Sequence, residues 1–299
     1  MNHHKISNSM PFKFVKNAVT SIHFGEMWAC EQIRSHQIKA KYRQKWNKAD
    51  TTKLQCESSL FPDQLQLRNL YNGIVKTFDW LPVVDGITYK LYETTYDVSD
   101  VPDGVYFLYQ PITLMGWKYL SEPIHIATSW PNTLLFRYRH TYNKDDVGWT
   151  TGIECKFRCE ADIQDYEPDT ERNMYKNQIK STTLLDSIAG DQFQLYVGDA
   201  PGVAEWVVWK LDRIYTCNKV FANDKQYSAK QGSSIKMTRN RNYSLVGASL
   251  DIVPTTNSQS LEFADSTPLF GGIITAYNIE TGFFGPSGIV PVLEVEENG

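Results

Sequence analysis

The chain has 299 residues, of which 41% are hydrophobic and 21% charged, and a formal net charge of −4. This length accommodates two ordinary domains, and the composition is that of a globular protein rather than a disordered or fibrous one. The small negative charge supplies no general pull toward nucleic acid or an anionic membrane, and no apolar run approaches the roughly 20 residues of a membrane span.

Residues 1–20 are polar and patternless, which predicts an N-terminal arm without the apolar segment of a signal peptide. Ile38, Ala40, Tyr42 and Trp46 then alternate with Lys39, Lys41, Arg43 and Lys45. That period of two predicts a strand with one basic face, although Glu, Gln and Lys between Met27 and Trp46 also suit a helix. Short strands are expected near Leu54–Ser58, Val75–Trp80, Thr88–Tyr92 and Val105–Tyr109, separated by turn residues at the spacing of a sandwich. Around Pro111–Trp117 the chain is expected to leave this first module, which gives boundaries of 21–115.

A second β-rich module is expected over 116–253. Its strands fall near Ile124–Thr128, Thr133–Tyr138 and Ile153–Ala161, with turns at Trp130–Asn132 and Asn143–Gly148. The acidic run Asp162, Asp165, Glu167, Asp169, Glu171 contains Pro168 and few apolar residues, so a solvated loop is expected there. Asn173–Ser187 reads equally as helix or strand. Phe193–Val197 is a short strand, and a helix is expected over 200–216, with Asp199 as its cap and Pro201 in its first turn. Strands at Lys219–Ala222, Gln226–Ala229, Ile235–Arg239 and Ser244–Ile252 then form a small antiparallel sheet beneath that helix. Residues 254–299 are rich in Gly and apolar residues and read as a C-terminal arm or as added strands. The predicted fold is therefore mainly β: two sandwich-like modules, one amphipathic helix and extended terminal arms.

The helix carries more apolar residues than one buried stripe needs. Ala204, Val207, Val208, Leu211, Ile214 and Tyr215 recur at three- and four-residue intervals and face the module's own core. Trp206, Trp209 and Arg213 fall outside that stripe. Trp and Arg are the residues in which interfaces concentrate their binding energy, so this group is the candidate interface. Its rival is coverage by another part of the same chain.

Other chemistry is weaker. The basic row Lys39, Lys41, Arg43, Lys45 is a possible anion contact, but alternating lysines on a strand more often form a solvated face that discourages edge pairing. Arg239 and Arg241 are read in the same way. Asp97, Asp100 and Asp103 are spaced by three, unlike the alternate positions of a calcium loop, and fit a turn into the next strand. Cys155 and Cys159 lack two further ligands at zinc spacing, and Cys30, Cys56 and Cys217 are dispersed, as expected of free thiols in a reducing compartment. Glu154, Glu160 and Asp162 are candidate carboxylates for glycoside hydrolysis, but such pairs arise by chance among 34 acidic residues. There is no phosphate loop, nucleophile elbow or His-Glu-x-x-His motif. Neither catalysis, a metal nor a cofactor is expected.

Three segments, Asp97–Tyr109, Leu120–Tyr138 and Phe193–Tyr227, resemble structural proteins from the tail, neck or baseplate region of tailed bacteriophages and prophages. The resemblance is one of style and segment order, and the ending after Ser260 has no counterpart in it. It implies a multi-copy virion subunit that forms a ring or collar of the tail, assembled in the host bacterial cytoplasm. Its partners would be copies of itself and neighbouring tail or neck proteins, with no membrane and no direct nucleic-acid contact. The alternative is a carbohydrate-binding adhesin at the tail tip, using Trp130, Trp149 or loop tyrosines as stacking platforms.

Overall fold

Eighteen strands, one α-helix and a 3-10 turn at Trp149–Thr151 lie in the described part of the computed structural model, which covers residues 3–7, 9–18, 42–69, 73–86, 89–112, 117–176, 182–198, 202–239 and 245–255. The protein is mainly β, as its alternating patterns require. Residues 1–256 cluster as one compact unit.

Three sheets carry the fold. In the first, β1 (His4–Ile6), β4 (Thr52–Ser58), β8 (Lys90–Tyr96) and β7 (Leu81–Asp85) pair in that order, all antiparallel. The second runs β2 (Phe14–Ala18), β10 (Trp117–Ser121), β9 (Gly104–Ile112), β11 (Ile124–Ala127) and β3 (Gln44–Asn47). Its last pair is parallel, and β5 (Leu65–Asn69) and β6 (Ile74–Phe78) attach through β9. The third contains β14 (Thr182–Val197), β13 (Cys155–Lys176), β12 (Thr133–Arg139), β15 (Lys219–Ala222), β16 (Lys225–Ala229), β18 (Val246–Pro254) and β17 (Lys236–Arg239). Because β14 also pairs with β18, six of these strands close into a cycle, and β17 continues the β16 edge of β18. Closure of this kind leaves few free edges.

The N-terminal residues depart from the expected arm. Met10, Phe12 and Phe14 are buried, and β1 and β2 are strands of two different sheets. Alternation of Phe12 and Phe14 with Lys13 is the local reason: one side of the segment is apolar. The expected exit near residue 116 lies between β9 and β10, neighbours in one sheet.

The acidic run is a correction. Residues 162–171 lie within β13, which pairs with β14 from Ala161↔Val197 to Lys176↔Thr182, with irregularities after Gln164 and Asn173. A strand whose ladder is satisfied by its hairpin partner needs no apolar alternation, so composition misled. Pro168 is tolerated because, among the described residues, no third strand pairs with this stretch.

The helix α1 (Glu205–Ile214) is shorter than expected. Val203 bridges Val246 through two backbone hydrogen bonds of 2.9 and 2.8 Å, which keeps the chain extended up to Ala204. Ala204 is therefore the N-cap, without a side-chain cap, and Asp199 and Pro201 lie outside the described residues. Gly198 and Gly202 flank this crossing with φ of +81° and +105°. A Cβ on Gly198 would sit 2.7 Å from the Val246 carbonyl oxygen, so only glycine fits.

One ionic contact ties the sheets together inside the core. Arg158 on β13 donates through Nε and Nη2 to both carboxylate oxygens of Asp50, at 2.6 and 3.1 Å, and through Nη1 to Thr133 Oγ1 at 2.9 Å. Both partners are buried. A two-point contact of this geometry fixes the loop after β3 against the third sheet.

Candidate functional site

The stripe on α1 behaves as its spacing requires: Val207, Val208, Leu211 and Ile214 are buried. The other face divides. Trp209 is 59% exposed, and Arg213 is exposed one turn further on. Trp206 is instead packed against its own chain, edge-on to Tyr42 at 5.9 Å and to Phe157 at 6.3 Å between ring centroids. The expectation of two free indoles is corrected to one. Tyr42 is held in turn by donating to Glu160 Oε2 at 2.9 Å, which is how a residue near β3 comes to support the helix.

Between Trp206 and Arg213, at i+4 from the indole, lies Lys210. It is buried, its Nζ donates to the Met10 carbonyl, and it sits 5.6 Å from the Trp206 ring and 5.8 Å from that of Phe157. Burial lowers its pKa to about 7, opposed by the Cys155 thiol and reinforced by Arg213 and Lys13. Lys210 is a site residue that the helix pattern had not singled out. The available signal was its i+4 spacing from Trp206, which places both on one helical face.

Trp206, Trp209, Lys210 and Arg213 all line a groove of about 570 Å³ shared with β1, β2 and β10. Its wall holds five basic side chains, Lys5, Lys13, Lys16, Lys210 and Arg213, together with Phe14 and Tyr119. No carboxylate lines it among the described residues. Lys5 lies 2.8 Å from Asp146 and Lys13 lies 3.2 Å from Glu122, both outside the lining. Lys16 is exposed and lies over the Trp117 ring at 5.1 Å. The groove is therefore cationic with an aromatic wall, suited to an acidic, partly apolar occupant.

The predicted basic row contributes nothing to it. Lys39 and Lys41 lie outside the described residues, and Arg43 is exposed. Lys45 is engaged internally, 3.8 Å from Glu160 and 4.3 Å above the Trp130 ring. Arg239 meets Glu205 at 2.5 Å, at the start of α1, and Arg241 lies outside the described residues.

The remaining candidates have structural partners. Glu154 faces Arg137 at 3.9 Å, and Asp162 accepts from Gln164, so neither is joined to Glu160 in one constellation. Cys155 and Cys159 are buried, and burial pushes both thiols up. Asp97 accepts from the Ser99 backbone at 3.0 Å, while Asp100 and Asp103 pair with Lys76 and Lys48, a turn held by charge. Trp149 is buried, and Trp130 donates to the carbonyls of Trp46 and His125 at 3.2 Å, so neither ring forms an open stacking platform. A second cavity of about 700 Å³ lies at the third sheet, lined by Asn132, Asp162, Gln164, Tyr196 and Asn223 among others.

No protein-family model matches the chain, and neither a curated protein nor a solved structure is significantly similar to it.

Proposed function

We propose that this chain is a multi-copy structural subunit that forms a ring or collar in the tail of a bacteriophage, in its neck or baseplate region. Its role is non-catalytic, and it is assembled into the virion in the host cytoplasm through contacts with its own copies and with neighbouring tail proteins. The observation that carries this reading is the exposed Trp209 beside Arg213 on the wall of a cationic groove. An indole and a guanidinium left uncovered by the described residues are of the types that interfaces use as anchors. The resemblance of Asp97–Tyr109, Leu120–Tyr138 and Phe193–Tyr227 to phage tail proteins supplies the setting.

Contacts that build a permanent ring bury on the order of 2,000 Å² or more. Trp209→Ala combined with Arg213→Ala should convert an oligomer into a folded monomer in sedimentation velocity, with an unchanged circular dichroism spectrum. Trp206→Ala should instead lower stability by about 3 kcal/mol, because that ring belongs to the chain's own packing. A wild-type chain that sediments as a monomer at micromolar concentration would count against the ring.

A second reading, a glycan-binding adhesin at the tail tip, is favoured by the polar cavity beside the half-exposed Tyr196. Amide and carboxylate groups around one aromatic ring suit a sugar. Binding of the purified protein to a glycan array, lost in Tyr196→Ala, is the outcome that reading requires.

A further inference from the structure

The β13–β14 hairpin has two parts. Near its base, β13 pairs with β12 as far as Glu160↔Thr133, and β14 pairs with β18 from Val197 back to Phe193↔Ile252. Beyond those points, from Glu167↔Gln192 to Lys176↔Thr182, the two strands pair only with each other among the described residues. A two-stranded ribbon without a packed face is marginally stable in water. Near its far end Met174 and Tyr175 are 58% and 57% exposed. Such a ribbon, with apolar side chains in solvent and open edges, gains stability from a partner surface.

The ribbon's charge identifies that surface. Over its free part, Glu167–Lys176 paired with Thr182–Gln192, the ribbon carries five carboxylates, Glu167, Asp169, Glu171, Asp186 and Asp191, against two cations, Arg172 and Lys176. The groove beside α1 carries four cations, Lys5, Lys13, Lys16 and Arg213, besides the buried Lys210, and no lining carboxylate among the described residues. Lys16 and Arg213, both exposed, have no ion pair among the described residues. The ribbon and the groove are thus two complementary surfaces of one chain.

We infer that the acidic β13–β14 ribbon of one copy lies in the basic groove beside α1 of the next copy. This rests on the ring reading proposed above and names the contact that would build it. A ribbon entering a groove is a heterologous, head-to-tail interface, and such interfaces generate closed rings when the rotation between copies closes. Lys16 and Arg213 meet the ribbon's carboxylates, and Trp209 gives its apolar residues a surface to cover. Opposite charges across this interface also set which surface finds which, and at what register.

A charge swap tests the contact. The groove variant carries Lys16→Glu with Arg213→Glu; the ribbon variant carries Glu167→Lys, Asp169→Lys and Glu171→Lys; a third chain carries all five changes. Each is followed by sedimentation velocity and circular dichroism beside the wild type. The expected result is an oligomeric wild type, at least a tenfold weaker association for the groove and ribbon variants with folded spectra, and recovered association in the five-fold variant. Recovery cannot come from a folding defect, because the changes would then accumulate. If the ribbon variant assembles like the wild type, or if the five-fold variant does not recover, the ribbon is not the occupant of the groove, while an oligomeric wild type keeps the ring reading standing. A monomeric wild type overturns both.

Discussion

The base and the far end of the β13–β14 hairpin are continuous in sequence but differ in what holds them. At the base, Phe157 and Leu195 are fully buried and Arg158 is clasped by Asp50; β13 pairs with β12 up to Glu160, β14 lies between β13 and β18, and a core lies beneath. Further out, the ladder between the two strands is their shared support, and Met174 and Tyr175 are in solvent. The same backbone geometry thus serves structure in one place and presents a free surface in the other. Hydrogen bonding alone makes a strand; burial decides whether that strand stabilises the fold or remains available.

The sharpest way to break this contrast is at the base. Asp50→Ala leaves the Arg158 guanidinium buried without its carboxylate, and should cost about 3–5 kcal/mol in urea unfolding. A loss under about 1 kcal/mol would mean that water or another acceptor reaches the guanidinium, and that the base is less dry than its burial indicates.

A smaller effect is expected at Lys210, through pH. In the fold its ammonium loses its proton near pH 7, whereas the unfolded chain keeps it to about pH 10.4. Between those values unfolding takes up a proton, so the Lys210 contribution to stability rises with pH across that window and is least favourable below pH 7. Lys210→Met removes the titration but also strips the Met10 carbonyl of its donor, a pH-independent loss. The stability of the variant relative to wild type should therefore be highest at pH 6 and fall by a few kcal/mol, in order of magnitude, toward pH 10. Parallel curves for the two proteins would show that Lys210 is solvated in the folded state.

The smallest effect belongs to the far end of the hairpin. Met174→Ala with Tyr175→Ala should change the stability of the isolated chain by no more than about 0.5 kcal/mol, because both residues are exposed. A loss of several kcal/mol in a monomer would place these residues in a packed environment and erase the distinction between base and end.

Much of the fold was legible. The strands at Thr133–Arg139 and Lys219–Ala222 follow period-two alternation, and the turn at Asn223–Asp224 has the positive φ of 44° and 73° that those two residue types tolerate best. The helix appeared with its buried stripe because three- and four-residue spacing is local information. The candidate site was legible only in part. Trp209 and Arg213 could be singled out on one helix, but Lys5, Lys13 and Lys16 come from a segment some 200 positions away that reads as a polar arm.

Residue pattern by itself determined that this protein is built mainly of strands, that one helix buries a defined stripe, and that Trp209 and Arg213 stand apart from it. Period and turn chemistry act over a few residues, so a sequence displays them directly. Tertiary structure alone decided that Trp206 turns into its own core, that Lys210 is buried, that an acidic run is a paired ribbon and that distant lysines share one groove. Each of those depends on which segments meet, and the meeting is set by long-range burial and strand pairing that no local window contains.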